Sequence, residues 1–327
     1  MTEESPYDVL TAYQKSAAVM AAAKCGLFQA LENGPMSAGE LAVPLHLDLY
    51  ATGVLLDALA TCGYIGKRAE GNYEHNDFSR AFTIEGENSL FQIVHKEAFF
   101  YSLWANLGSS VRSGKARLAP FADRCASSPK EIRMFLAALN DIAAMSAPAV
   151  LDAAGMPESG TLLDFGGGMG GYAVKIAARH PGLSVTIVDA PVVIDLCQGH
   201  LENLNMLGMI RLMEGDLFDL DSVFGEERFD TVFVSHVIHD YPPKQAAALI
   251  ASAARFVSEG GRLYVLDVPK VGQDGSAAEA LFDVMMLVEA PGGRTHEDAS
   301  IRKWVEATGL RVVKMTKLRF GALYEAR

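Results

Sequence analysis

The stretch 161–171, TLLDFGGGMGG, constrains this chain more than any other. Thr161, Leu162, Leu163, Asp164 and Phe165 read as a buried strand that runs into a glycine-rich turn, and a helix follows over 172–179. Glycine suits a turn that needs positive φ, and backbone that must lie against a ligand with no Cβ between them. The helix behind such a turn directs its unpaired N–H groups at whatever occupies the gap. The stretch therefore reads as a nucleotide cradle. Two fingerprints fit it equally. Gly166, Gly168 and Gly171 satisfy G-x-G-x-x-G, the dinucleotide pattern. Asp164, Gly166, Gly168 and Gly170 satisfy D-x-G-x-G-x-G. The turn alone does not choose between them.

Beyond the turn the chain alternates. Strands are expected at 184–189, 210–213, 230–234 and 262–268, with helices at 192–204, 243–257, 277–288 and 297–308. Two closing strands, 311–318 and 322–327, are separated by a turn at Phe320 and Gly321. Apolar strands alternating with helices give a parallel sheet covered on both faces. The closing hairpin adds one antiparallel strand. In such a sheet the ligand lies beyond the C-terminal ends of the strands, at the switch point. Four of those ends carry suitable groups: the glycine turn, Asp189, Asp216 with Leu217, and the run SHVIHDYPP at 235–243.

Asp189 follows the glycines by about 20 residues, where a carboxylate accepts the ribose hydroxyls of a bound nucleotide. Its competing role is a helix cap before Pro191. Asp216 is placed to take an adenine amino group with Leu217 on the ring, although Gly-Asp is also an ordinary turn.

The N-terminal part has another character. Residues 8–32 form an alanine-rich amphipathic helical stretch, and Ser37 with Glu40 makes a capping box for a short helix. A helix over 48–61 and a hairpin through 63–73 complete a winged-helix order. The would-be recognition helix, DLYATGVLLDALAT, has no Lys, Arg, Asn or Gln to reach a base edge or phosphate. It reads as a packing helix. An aromatic helix face follows over 87–114, then a loop over 114–128 and a long helix over 129–154 that links the halves. The expected domains are 1–110 (winged-helix-like, dimerising), 111–158 (linking helices) and 159–327 (nucleotide-binding).

Net charge −12 argues against a nucleic-acid partner. No apolar run reaches the roughly 18 residues of a membrane span, and MTEESPYDVL carries no signal-peptide pattern. The four cysteines, Cys25, Cys62, Cys125 and Cys197, lack C-x-x-C spacing, as suits reduced thiols. A cytoplasmic protein with no membrane partner is expected.

Taken together, DFGGGMGGYAVKIAARHPGLSVTIVDAP, EGDLF, SHVIHDYPP and APGGR resemble, in order and spacing, the small-molecule O-methyltransferases of the caffeate/acetylserotonin type. In that family D-x-G-x-G-x-G is the first motif of a class I S-adenosylmethionine (SAM) domain, preceded by a winged-helix-like dimerisation domain. The resemblance covers the whole chain. It implies a class I Rossmann-like sheet, a homodimer, SAM as methyl donor and S-adenosylhomocysteine as product. Its cofactor contacts fall on Asp164, Gly166, Gly168, Asp189, Asp216 and Leu217; Ser235 stands where plant members have an adenine-facing lysine.

The same resemblance makes His239 the general base, in an H-D-[WY] motif, and Asp267, 28 positions on, the first of two acids that orient it. A phenol with pKa ~10 must lose its proton as it attacks, and an imidazole with pKa ~6.5 can accept it. The second acid of the family is replaced by Thr295, which also reads as an N-cap with Asp298 at the capping-box position; His296 or Glu297 could substitute for that acid. The acceptor, expected to be small, flat and aromatic, falls by the same matching to Phe135, Leu139, Ile142, Met285 and Met286, with His236 lining the pocket. Asp240 reads as a solvated or capping carboxylate. No residue is assigned to a metal. The alternative is C- or N-methylation of a small molecule, including a metal-assisted α-keto acid C-methyltransferase with ligands drawn from His236, His239, Asp240 and His296.

Overall fold

The computed structural model describes residues 5–83, 89–272, 275–319 and 321–327. Phe320, expected between the last two strands, lies outside the described residues. The chain divides into two compact units, Met1–Ser102 and Leu103–Arg327.

In the first unit the helical stretch expected over 8–32 is three helices, Pro6–Thr11, Tyr13–Lys24 and Leu27–Leu31. Gly26, at φ +75°, ends the second and starts the third, a left-handed step that costs glycine least. Ser37 and Glu40 form the expected reciprocal capping box on Ala38–Ala42, and Asp48 caps Leu49–Thr61 by accepting from the Ala51 N–H. A two-stranded antiparallel hairpin, Gly66–Lys67 with Tyr73–Glu74, follows. Phe28, Leu41, Leu56 and Leu59 make the centre of this core. Leu49–Thr61 thus buries Leu56 and Leu59 while leaving Tyr50 exposed.

The second unit is built on seven strands: β1 (Ser159–Phe165), β2 (Gly182–Asp189), β3 (Ile210–Glu214), β4 (Phe229–Ser235), β5 (Val257–Asp267), β6 (Val312–Leu318) and β7 (Gly321–Ala326). Their order is β3-β2-β1-β4-β5-β7-β6. The pairings from β3 to β5 are parallel, and β7 alone runs against both its neighbours. The order reverses between β1 and β4, which sets the switch point at the glycine turn. Successive β1 residues go to opposite faces. Leu163 and Phe165 enter one core with Val232, Leu249 and Ile301; Leu162 enters the other with Ile176, Ile187, Phe233 and Tyr264.

The helix Pro129–Ala154 packs on Gly171–Arg179 and buries Ala147, Val150 and Leu151 in the second core. By length and composition it is apolar enough to cross a membrane, and 33% of its most apolar stretch is buried inside the protein. The expected loop over 114–128 contains a helix, Phe121–Ser127. Pro120 before it and Ser128-Pro129 after it are breaker signals, and seven residues are too few for a periodic pattern to show between them. Its Arg124 is buried, paired with Glu131 at 2.7 Å, and its guanidinium lies 5.4 Å from the Phe135 ring centroid.

Candidate active site

The glycine turn is shaped by what lies against it. Gly166 has φ +73°, and a Cβ there would meet Val237 Cγ2 at 2.8 Å and Leu217 Cδ1 at 3.2 Å. Gly168, at φ +59°, would direct a Cβ into open space. The turn is therefore closed by protein on one side and open on the other. Asp189, at the end of β2, holds it: Oδ2 accepts from the Gly168 N–H at 2.9 Å and Oδ1 from the Ala190 N–H at 2.7 Å. The ligand role and the competing structural one thus meet in one side chain, since each carboxylate oxygen keeps a free lone pair.

Asp164 is fully buried, and neither carboxylate oxygen has a hydrogen-bond partner. Burial, with the nearby Asp189 charge, pushes it up to about 7. It lies against the turn, because a Cβ on Gly167 would stand 2.7 Å from its Oδ2. Leu217 packs toward Gly166, its carbonyl held by the Ser252 hydroxyl at 2.8 Å. Asp216 is exposed and accepts from the Phe218 N–H at 2.9 Å, the turn bond of its competing reading. Ser235, the last residue of β4, is buried opposite Leu266 of β5.

His239 sits on a single 3₁₀ turn, Ile238–Asp240, just beyond β4. Its Nδ1–H donates to Asp267 Oδ1 at 2.7 Å, and Asp267 also accepts from the Val268 N–H at 2.7 Å. The two residues are 8% and 1% exposed. Burial alone would depress the imidazole, but the carboxylates of Asp267 and Asp240 outweigh it and lift His239 to about 9. Burial opposes the charge of Asp267 too, yet the imidazole holds that carboxyl below its ordinary value. Asp240, expected to be solvated, is indeed half exposed, and its Oδ1 lies 3.7 Å from His239 Nε2. His236 takes a left-handed φ of +55° and donates its backbone N–H to the Leu266 carbonyl at 2.8 Å. Burial lowers its imidazole to about 4, and its ring centroid is 6.0 Å from that of His239.

Two expectations at the end of the site are corrected. Thr295 is not an N-cap: the helix is Asp298–Glu306, its cap position is Glu297, and no side chain caps it. Thr295 is instead buried, with its N–H donating to Asp283 Oδ1 at 3.0 Å and its hydroxyl unpartnered. The four residues considered for a metal do not converge as a group. His296 Nε2–H donates to the Ile238 carbonyl at 3.0 Å and so braces the turn that carries His239. Among the described residues His236 and His239 gather instead with Asp267.

Of the acceptor-side residues, Phe135 is half-buried and packs in a cluster with Ile132, Leu136 and Val193 that also takes in Met169 and Ala190, beside the glycine turn and β2. Ile142 and Met285 are half-buried, Met286 is buried and Leu139 is exposed. Two contacts were missed. Phe282 stands edge-on to His239, centroids 5.0 Å apart; it lies three residues before Met285 on one helix, so the spacing of the methionines could have found it. Tyr172 stacks on His236 at 6.4 Å and hydrogen-bonds Ser146 of the linking helix at 2.7 Å.

A glycine turn at the switch point, a carboxylate ending β2 and a buried His–Asp pair beyond β4 and β5 define a class I methyltransferase fold. The O-methyltransferase domain model matches residues 104–311, more than half the chain, and the O-methyltransferase dimerisation domain matches 7–85. The chain belongs to the O-methyltransferase family, enzymes that use S-adenosylmethionine. It is 26% identical to the tetracenomycin polyketide synthesis 8-O-methyl transferase TcmO of Streptomyces glaucescens, covering 95% of this chain and 93% of that one. It is 26% identical to the N,N-dimethyltransferase OxyT of Streptomyces rimosus, over 79% of this chain and 76% of that one. The human N-acetylserotonin methyltransferase structure in complex with SAM superposes with a TM-score of 0.89 at 21% identity, over 100% of this chain and 99% of that one.

The residues present fit that donor. An orphaned buried carboxylate lacks a cationic partner, and SAM carries both an ammonium and a sulfonium group. The open side of Gly168 leaves room for a ligand against the turn.

Proposed function

We propose that this enzyme methylates a hydroxyl of a small aromatic acceptor, with His239 as general base and Asp267 holding it. The observation that carries the reading is the buried 2.7 Å bond from His239 Nδ1–H to Asp267. It fixes the tautomer whose lone pair is on Nε2, the atom that would take the acceptor's proton. Asp164, Gly166, Gly168 and Asp189 would hold the donor's methionyl and ribose parts, and Asp216, Leu217 and Ser235 its adenine. When bound, SAM supplies a methyl carbon activated by its sulfonium. Phe135, Leu139, Ile142, His236, Met285 and Met286 would form the acceptor pocket, with Phe282 added as a wall against the base. Apolar walls exclude water and orient a flat ring.

The reading includes a homodimer formed through residues 1–110, with 111–158 contributing to the pocket and 159–327 holding SAM. Tyr7, Leu10 and Tyr13 are 74%, 73% and 53% exposed on the first two helices, an apolar surface that supports a second subunit. It also includes a cytoplasmic location, no membrane partner and no nucleic-acid partner, the last supported by the acidic net charge. The OxyT relative favours a second reading, transfer to an amine.

One screen tests both. The protein is incubated with SAM and matched panels of phenols and aromatic amines, and products are read by mass spectrometry. Methylated phenols are expected, whereas amine products alone would reject the hydroxyl reading. A monomeric mass in sedimentation would reject the dimer.

A further inference from the structure

We propose that His236, His239 and Asp267 form a binding site for a divalent cation of the zinc class, and that the bound ion withdraws His239 from proton transfer. One donor atom from each of the three side chains lies within 4.8 Å of the others. Two imidazoles and a carboxylate are a donor set that borderline divalent ions favour.

Asp267 ends β5 with Oδ1 accepting the Val268 N–H and the Nδ1–H of His239, another of the three ligands, while Oδ2 is buried with no hydrogen-bond partner. That oxygen is a buried acceptor lacking a cation or a donor. His236 is one of three non-glycine residues with positive φ among those described, and the bond from its N–H to the Leu266 carbonyl ties it to β5. Backbone strain of this kind persists where the surroundings enforce it, and it gathers at functional sites. No hydrogen bond to the His236 ring nitrogens is found among the described residues; the ring packs on Tyr172. Ligands at about 2.0–2.2 Å from one ion stand roughly 3–4 Å apart, so a small shift of the His236 ring closes the set. The alternative trio of His239, Asp240 and His296 is disfavoured, because among the described residues the donor atoms that gather within 4.8 Å are those of His236, His239 and Asp267.

The consequence follows from electron counting. A neutral imidazole has one ring lone pair. An ion bound to it leaves an N–H at the other nitrogen, so His239 can no longer accept a proton from the acceptor. Binding to the neutral imidazole releases no net proton, and binding to the imidazolium releases one. The inhibitory half of the proposal rests on His239 being the base; the binding half does not.

Chelator-treated protein without SAM is titrated with Co²⁺, followed by its visible d–d bands, and then with Zn²⁺ in competition. The expected result is one Co²⁺ per chain, displaced by Zn²⁺, with affinity reduced at least about tenfold in His236→Asn and unchanged in His296→Gln. Asparagine tolerates the left-handed conformation, so the variant keeps the backbone. Methyl transfer should fall in step with Zn²⁺ occupancy and return with chelator. No stoichiometric Co²⁺ binding at millimolar ion, binding indifferent to His236→Asn, or binding lost in His296→Gln would overturn the site. Full methyl transfer with Zn²⁺ bound would overturn the inhibition, whereas the base assignment stands or falls on His239 variants without metal.

Discussion

His239 and Asp267 are joined by a 2.7 Å hydrogen bond although they lie on separate elements, one on a 3₁₀ turn after β4 and the other at the end of β5. Parallel pairing of those strands, with Ser235 opposite Leu266, brings the two ends level. The turn is then pinned twice more, by the Arg294 N–H on the His239 carbonyl and by the His296 imidazole on the Ile238 carbonyl.

Asp267→Asn keeps the shape of this bond and removes the charge that favours Nδ1–H. We expect kcat/KM to fall roughly 10²–10⁴-fold, the range for loss of general acid–base assistance, with SAM affinity unchanged by calorimetry. A loss smaller than about tenfold would show that Asp267 does not set the tautomer.

Only neutral His239 can accept a proton, and its folded value is lifted to about 9. The acceptor kcat/KM, measured at saturating SAM, should therefore climb with pH through that region. Asp240 is one of the two carboxylates doing the lifting, so Asp240→Asn should move the midpoint to lower pH. An unmoved midpoint would remove Asp240 from the account. Stability runs the other way. A folded value above the unfolded ~6.5 means the pair's contribution is complete below ~6.5 and lost as pH rises through about 9. The wild-type melting temperature should decline across that window more than that of His239→Ala.

Asp164 makes a contrasting case, a buried carboxylate lifted to about 7 with no partner. Because the fold prefers its protonated form, the penalty appears as pH rises from ~3.8 toward 7 and is complete above it. Asp164→Asn should raise the melting temperature of the SAM-free protein at pH 8, by roughly 2–4 °C per kcal/mol recovered, while weakening SAM binding. A variant that is less stable and binds SAM equally well would contradict both halves.

Gly166 and Gly168 separate fold from ligand. Gly166→Ala puts a Cβ 2.8 Å from Val237 Cγ2 as well as straining φ, so it should destabilise the protein and weaken SAM binding together. Gly168→Ala meets no protein atom within 4 Å and bears only the φ strain of about 1–2 kcal/mol. Its affinity loss should be large relative to its stability loss, read by calorimetry and thermal melts. Equal stability losses would mean that the open side of the turn is not the donor's side.

Much of the sheet was legible because a parallel strand buried on both faces is an apolar run, and the glycine turn declares the switch point. The capping box at Ser37 was legible for a similar reason, as its partner is three residues away. What escaped depends on contacts distant in sequence. Thr295 followed by Asp298 has the spacing of a cap, but its N–H goes to Asp283 on another helix. Phe282 is marked in the sequence only by lying three residues before Met285, and its contact with His239 comes from a distant segment. Asp267 could be matched to a family acid, but nothing local revealed that His236 stands beside it. The helix Phe121–Ser127 hid between two proline breaks.

The most direct test of the central claim is single-turnover methyl transfer by His239→Ala, with SAM binding measured on the same sample. The account predicts a rate lower by roughly 10²–10⁴-fold with SAM affinity intact, and no recovery as pH is raised through 9. A variant that binds SAM and transfers methyl at the wild-type rate would show that the proton leaves without His239.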